Sequence, residues 1–232
     1  MLQFIATPVG NLGDLTPRAL DALRTADVIA CEDTRRTWAL LSHFGIPRPR
    51  LVSYRQGNEA RAGQSVIDAA LAGQRVAVCS DGGYPGISDP GYRLIAQAVA
   101  ADAPFEILPG ASAVPLALLY SGLPTASYTF KGFPPRKPGP LRRFFEADAA
   151  APHTLIVFES PHRLHATLAA AHTVLGNRRA AVCLELTKRF ERIHRGTLDG
   201  LAAQFEDAKP RGEATLVVEG RTQKSEDVSD SH

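Results

Sequence analysis

The sequence predicts an α/β protein of two α/β domains, the first with a mostly parallel sheet and the second with a mixed one. Three observations carry this. Up to Leu108, short apolar runs and amphipathic stretches alternate in the order βαβαβαβαβ, which builds a parallel sheet with helices on both faces. Clusters of Gly, Pro, Asn and Asp close the strand-like runs, as turn formers do. Beyond Pro109-Gly110 the same elements recur with fewer parallel crossovers, so that dipeptide marks the boundary. The domains are then residues 1–110 and 111–220. Residues 221–232, polar and of mixed charge, read as a disordered tail.

In order, Leu2 to Thr7 is a strand and Pro8 to Asp14 a loop of turn residues. Thr16-Pro17 caps a helix reaching about Thr25. Gly10 and Gly13 lack the G-x-G-x-x-G or G-x-x-x-x-G-K-[ST] spacing, so the loop need not hold a pyrophosphate. Asp27 to Glu32 is the second strand, followed by a helix from Asp33 that carries Trp38, Leu40 and Leu41. Leu51 to Tyr54 is the third, followed by a basic loop and a helix from about Ala60 to Leu71, with Gly73 as its C-cap. Arg75 to Cys79 reads as a strand covered on both faces.

The stretch after it, Ser80-Asp-Gly-Gly-Tyr-Pro-Gly-Ile-Ser-Asp-Pro-Gly91, is the most informative in the chain. Gly82-Gly83 lets a ligand approach the backbone without a Cβ in the way, and Pro85-Gly86 forces a turn. Asp81, at the carboxyl end of a parallel strand, is where open α/β sheets bind ligands and is the expected polar anchor. Asp89 is the expected N-cap of a helix from Pro90 to about Ala101. Phe105 to Leu108 is the fifth strand.

In the second half, Ala111 to Ser121 is a helix and Ser127 to Phe133 a strand. Pro134 to Pro140 is a stiff basic loop. Leu141 to Ala147 is a helix, His153 to Phe158 a strand, and Pro161 to Leu175 a helix ending at Gly176-Asn177. Arg179 to Leu184, Leu198 to Glu206 and Glu213 to Glu219 read as strand, helix and last strand.

The 232 residues are 44% hydrophobic, enough for one large core or two smaller ones. A net charge of +2 makes no whole-chain case for nucleic acid. The basic residues do bunch, at Arg48/Arg50/Arg55/Arg61, Arg136/Lys137/Arg142/Arg143 and Lys188/Arg189/Arg192/Arg195. Cys31, Cys79 and Cys183 sit in apolar runs without CxxC or Cys/His spacing, so they read as buried thiols of a reduced compartment and no metal site is expected. The seven histidines have no HxxxH or HExxH spacing, and there is no GxSxG nucleophile elbow. With no leader-like N-terminus and no apolar run of membrane-spanning length, the protein is expected to be soluble and cytoplasmic.

Loops at the carboxyl ends of parallel strands share one sheet edge, so Thr7–Asp14, Asp81–Pro90 and Pro109–Ser112 can converge on a cleft. Asp33 and Ser160 each have a second reading as helix caps. Lys188 and Arg189 read either as phosphate contacts or as a solvated basic face.

The ordered motifs Thr7-Pro-Val-Gly-Asn-Leu-Gly-Asp14, Cys31-Glu-Asp-Thr-Arg35, Asn58-Glu59, Ser80 to Gly91, Leu108-Pro-Gly-Ala-Ser112, Gly132-Phe133, Phe158-Glu-Ser-Pro-His-Arg163, Glu185-Leu-Thr-Lys188 and Val218-Glu-Gly220 closely resemble the tetrapyrrole-methylase-like, class III S-adenosylmethionine-dependent methyltransferases. Among these the chain is similar to the branch that 2′-O-methylates a cytidine ribose of 16S ribosomal RNA. The resemblance implies two α/β domains with S-adenosylmethionine in the cleft between them, a homodimer, no metal, and RNA or the small ribosomal subunit as partner. It places Pro8, Gly10, Asp81, Gly82, Gly83, Tyr84, Ile87, Ala111, Ser112, Ala113, Phe158, Leu186, Ala214 and Thr215 around the cofactor.

The implied chemistry is attack of a 2′-hydroxyl on a sulfonium methyl, with a neutral thioether leaving. Orientation can then supply roughly 7–11 kcal/mol. The hydroxyl is a poor acid, so a base or an alkoxide-stabilising lysine would help; Asp33, Glu185 and Lys188 are the candidates. Arg35, Arg136, Lys137 and Arg163 are the RNA contacts. Two departures stand out. The family's Ser-Asp-Ala-Gly-Thr-Pro is here Ser-Asp-Gly-Gly-Tyr-Pro, giving Tyr84 a ring that would stack on the adenine or crowd it. The family's RNA enzymes also continue past Val-Glu-Gly into a small helical domain, whereas this sequence ends at His232. A tetrapyrrole substrate is an alternative, but the first loop lacks that branch's Gly-x-Gly-Pro-Gly-Asp. A non-catalytic RNA-binding module on the same fold is another.

Overall fold

The computed structural model describes residues 1–47, 49–208 and 210–221. Arg48 of the first basic bunch, and the expected disordered tail beyond Arg221, lie outside the described residues. The chain divides into two compact units, Met1–Ala113 and a second beginning at Val114.

The first unit holds β1 (Leu2–Ile5), α1 (Pro17–Thr25), β2 (Val28–Cys31), α2 (Thr34–His43), β3 (Arg50–Ser53), α3 (Glu59–Leu71), β4 (Val76–Cys79), α4 (Tyr92–Ala100) and β5 (Phe105–Leu108). All its strand pairs are parallel, in the order β3-β2-β4-β1-β5. Alternate strand residues face opposite sides. Leu2, Phe4, Val28, Ala30, Val76 and Val78 pack with Val66, Ile67 and Leu94 of α3 and α4. Ile5, Ile29, Cys31, Ala77 and Cys79 pack with Ala19, Leu23 and Leu41 of α1 and α2. Burial on both faces is the reason these strands read as unbroken apolar runs.

Register sets the site edge. Ile5 lies beside both Cys79 and Leu108, and Cys31 beside Cys79, so β1, β2, β4 and β5 end level. From neighbouring β1 and β4 the chain leaves to opposite faces, through α1 and α4. That divergence is the switch point at which such sheets bind ligands.

Thr16 caps α1 by accepting a hydrogen bond from the Ala19 N–H, as its sequence predicts. At α4 the structure corrects the expected Asp89 cap and Pro90 start: Gly91 is the N-cap and Tyr92 the first helical residue. A Cβ at Gly91 would lie 2.5 Å from the Gly86 nitrogen, so this tight turn must close before a helix can begin.

The second unit carries α5 (Ala113–Ser121, starting at the boundary), β6 (Tyr128–Phe130), α6 (Pro138–Glu146), β7 (Thr154–Glu159), α7 (Leu164–Leu175), β8 (Arg179–Leu184), β9 (Arg192–Thr197), α8 (Leu198–Gln204) and β10 (Ala214–Val218). Its sheet, ordered β6-β7-β10-β8-β9, is mixed: only β6 and β7 run parallel. Leu155, Val157, Val182, Leu184, Leu216 and Val218 form one core face, covered by residues of α6, α7 and α8 that include Phe145, Leu164, Leu168 and Leu201.

Strand β9 has no counterpart in the sequence reading. Among the described residues, Arg-Ile-His-Arg-Gly-Thr is an edge strand paired with β8 alone, with no apolar face to reveal it. The end of the expected basic loop is also helical, since Pro138 and Pro140 lie in the first turn of α6. Proline is tolerated there because first-turn N–H groups have no partner within the helix. The helix expected from Pro161 begins instead as a 3-10 turn, Pro161–Arg163, before α7.

The packing and one surface ion pair each have a measurable consequence. Phe145 is 0% exposed, so Phe145→Ala should lose about 3–5 kcal/mol in denaturant unfolding. Arg75, through its side chain and its backbone N–H, holds Asp27 at about 2, below the ordinary 3.8. A depressed carboxylate pKa contributes stability above the unfolded value and loses it as pH falls toward the folded one. Asp27→Asn should therefore flatten the acid limb of the stability curve between about pH 4 and pH 2.

Candidate functional site

The ends of β1 and β4 are tied backbone to backbone. Thr7 N–H donates to the Gly83 carbonyl at 3.0 Å and Gly83 N–H to the Thr7 carbonyl at 2.9 Å. Two buried hydroxyls reinforce the tie: Thr7 Oγ1 donates to the Ser80 carbonyl and Ser80 Oγ to the Gly83 carbonyl, both at 3.1 Å. Gly83 takes φ 83°, a left-handed conformation that a side chain would strain. The β5 loop joins through Gly110 N–H, which donates to the Tyr84 hydroxyl at 2.9 Å. A Cβ at Gly110 would sit 2.8 Å from that of Ala6. Tyr84 is thus a clamp between two loops, a use of the ring that the sequence reading did not anticipate.

Asp81 lies in this frame with its carboxylate held from α2: Asp33 N–H donates to Oδ1 at 3.2 Å, and Arg36 Nη1 is 3.4 Å from Oδ2. A cavity of about 240 Å³ opens here, lined by Thr7, Pro8, Leu12, Arg36, Leu40 and Asp81 among others. Burial and the charge of Asp81 push neighbouring Glu32 up. Asp33 caps α2, accepting from the Arg35 N–H at 2.8 Å, and that bond holds its carboxyl below the usual range. Gly10 and Ile87 are exposed and lie outside the residues lining the cavity. Ala111, Ser112 and Ala113 follow Gly110 and are half-buried.

In the second unit, strand register sets Phe158, Thr215 and Cys183 side by side across β7, β10 and β8, on the face opposite the main core. Phe158 packs with Phe130 and Phe133, at ring-centroid distances of 4.8 and 5.6 Å. Ala214, one residue earlier, points its side chain into the core, which leaves only its backbone for a ligand on the Thr215 face. Leu186 is buried.

Glu185 and Thr187, on either side of Leu186, are left-handed, with φ 52° and 64°. Such non-glycine residues persist only where neighbours over-determine them, and they cluster at functional sites. Here Glu185 Oε1 accepts from Lys188 Nζ at 2.8 Å and from Glu213 N–H at 2.9 Å. Lys188 Nζ also donates to Glu213 Oε2 at 3.0 Å, and Thr187 N–H to Glu191 at 2.7 Å. Burial pushes Glu185 up, but the bonds from Lys188 and the Glu213 N–H outweigh it and its pKa falls. For Lys188 burial acts downward, the two carboxylates outweigh it, and the pKa rises. Lys188 is therefore held as a cation, suited to donate hydrogen bonds and not to act as a base.

Of the expected RNA contacts, Arg35, Arg136 and Lys137 are exposed. Arg163 is engaged internally: it donates to the Pro135 carbonyl at 2.8 Å and lies 3.2 Å from buried Glu159, bracing the loop that carries Arg136 and Lys137. Ser160 does not cap with its side chain; its N–H donates to Glu159. The three cysteines are buried and free, as expected, and burial raises each thiol pKa, that of Cys183 to about 12. Sequence reasoning missed Thr7, Ser80, Arg36, Glu213 and Glu191. For the first two a signal existed, a small hydroxyl residue at each strand end.

A parallel sheet whose strand-end loops meet at a switch point, followed along the chain by a mixed-sheet unit with a left-handed Glu-Leu-Thr-Lys turn, is a two-unit α/β architecture. The family described as Tetrapyrrole (Corrin/Porphyrin) Methylases matches residues 1–202. Relatives named ribosomal RNA small subunit methyltransferase I include one from Halalkalibacterium halodurans, 45% identical over 97% of this chain and 78% of its own length. Another, from Synechocystis sp., is 44% identical over 96% and 80%. The chain belongs to the tetrapyrrole methylase family, in the branch with these relatives. Among solved structures, a diphthine synthase shares the fold at TM-score 0.74 and 17% identity, covering 95% of this chain and 90% of that one. A uroporphyrin-III C-methyltransferase from Thermus thermophilus, complexed with S-adenosyl homocysteine, does so at TM-score 0.63 and 20% identity, covering 94% and 96%.

The lysine clamp makes a signed prediction. Glu185→Gln removes an anion beside Lys188, so the Lys188 pKa should fall, read by NMR titration of the ¹³C-dimethylated lysines.

Proposed function

We propose that this protein transfers a methyl group from S-adenosylmethionine to the 2′-hydroxyl of a cytidine ribose in 16S ribosomal RNA, acting in the cytoplasm as a homodimer on that RNA or on the small subunit. The observation that carries the reading is the 45% identity, over nearly the whole chain, to a ribosomal RNA small subunit methyltransferase I.

The residues present fit the cofactor. The strand-end loops offer glycine backbone at Gly82, Gly83 and Gly110, and a carboxylate, Asp81, where a phosphate-binding loop would carry a lysine. That donor set suits a ligand with a positive sulfonium, an amine and ribose hydroxyls. In the first unit, Pro8, Gly10, Asp81 to Tyr84, Ile87 and Ala111 to Ala113 would hold it. When bound, it supplies a methyl group on positively charged sulfur, displaced with a neutral thioether as leaving group.

The ammonium of Lys188, fixed by Glu185 and Glu213, donates to the ribose oxygen as negative charge develops there. Glu185 accepts the hydroxyl proton. Its lowered pKa makes it a weak base, so in this proposal orientation and the lysine supply most of the effect. Asp33 acts as a positioning residue rather than a base, since its backbone N–H holds Asp81 and its carboxylate caps α2. Arg35, Arg136 and Lys137 contact RNA phosphates, and Arg163 supports the loop carrying the latter two.

Isothermal titration tests the cofactor: Asp81→Ala should weaken S-adenosylmethionine binding about tenfold or more, about 1.4 kcal/mol. Absence of binding by the wild type, with and without RNA, would overturn the reading. Lys188→Ala should retain that binding and lose roughly 10²–10³-fold in methyl transfer to small-subunit RNA.

A further inference from the structure

The second unit holds another cavity, of about 590 Å³, at the far end of its sheet. Register places it. Arg179 starts β8 and Glu219 follows β10, with Ala180 opposite Val218 at this end and Leu184 opposite Ala214 at the other. Five residues of strand, about 17 Å, therefore separate it from Glu185 and Leu186.

Its wall is cationic. Arg178, Arg179 and Arg221 line it, with Glu219 the one carboxylate among the lining residues and Ala149 and Leu175 the apolar side chains. Glu219 is already matched: Arg179 donates to it from Nε at 3.0 Å and from Nη2. Arg178 donates to the carbonyls of Leu175 at 2.9 Å, Ala149 at 2.6 Å and Glu219 at 3.3 Å. These bonds fix its guanidinium at the wall without cancelling its charge. Arg221 is anchored by its N–H, which donates to the Ala151 carbonyl at 2.7 Å. Among the described residues, three cations against one paired anion leave a concave site of net charge +2. Burial, and then the nearby charge of Arg221, depress the pKa of Arg178, the signature of like charges gathered together. Guanidinium groups around a polar hollow, one of them fixed by three carbonyls, suit a multi-oxygen anion, above all a phosphate.

We propose that this arginine-lined cavity binds a phosphate of the RNA substrate, a second anchor about 17 Å along the sheet from the Glu185–Lys188 turn. The proposal rests on the reading of the chain as an RNA methyltransferase. A phosphodiester held here would fix the strand's direction across the second unit, while base identity is left to other groups.

The test uses a fluorescent oligoribonucleotide of small-subunit sequence, the wild-type chain, Arg221→Ala, and the charge reversal Arg221→Glu, both at an exposed side chain. Anisotropy titrations at several salt concentrations should show each variant binding RNA about 3–10-fold more weakly, with the slope of log K on log salt smaller by about 0.7 for each phosphate no longer neutralised. Unchanged S-adenosylmethionine affinity and melting temperature would confirm that the variants are folded. RNA affinity and salt slope unchanged in both variants would overturn the proposal. So would binding of inorganic phosphate that is abolished in the variants while RNA binding is not, because the cavity would then serve a free anion. If the wild type binds the cofactor but no RNA, the functional reading itself fails, an outcome separate from these.

Discussion

The adjacency of β1 and β4, with the reciprocal hydrogen bonds between Thr7 and Gly83, is the constraint on which the candidate site depends. Two parallel strands that end level and send their chains to opposite faces leave a crevice between their loops. Loops there would diverge freely without a tie. The backbone pair, backed by the Thr7 and Ser80 hydroxyls, makes them one rigid rim, and the Tyr84 hydroxyl extends it to the β5 loop. Asp81 is thereby set by its own loop and by the start of α2 together.

The second unit solves a similar problem by strain. Its sheet delivers Cys183, Thr215 and Phe158 in register, and the chain then turns through two left-handed non-glycine residues around Leu186. Each such residue costs on the order of 1–3 kcal/mol unless neighbours hold it. The hold comes from Lys188, from the Glu213 N–H and from Glu191. Gly212 matters for the same reason, since a Cβ there would fall 1.9 Å from Glu185 Oε1. Support and electrostatics coincide: the hydrogen bonds that stabilise the turn also keep Lys188 charged.

Much of the first unit was legible because its strands are covered on both faces and announce themselves as apolar runs between turn formers. The second unit was harder to read. Its edge strand β9 is polar, and Pro138 and Pro140 look like loop but serve a helix's first turn. The proposed anchor Asp81 follows a strand and precedes two glycines, a local pattern that a sequence displays. Arg163 was misleading, because an arginine in a strand-to-helix loop looks the same whether it faces RNA or braces Pro134 and Pro135.

By itself the sequence determined the alternation of elements, the two-sided burial of the first sheet, the strand-end glycines and, through its ordered motifs, the family. These follow from short-range patterning and from residue types that only certain backbone conformations accept. Tertiary structure alone decided the roles. It made Tyr84 a clamp, Asp33 a cap and a support for Asp81, Lys188 a cation held by two carboxylates, and the arginines at the ends of β8 and β10 the wall of one cavity. Each role depends on a partner distant in sequence: Gly110 for Tyr84, Asp81 for Asp33, Glu213 for Lys188, Glu219 for Arg179. Folding places those partners, and a local pattern cannot.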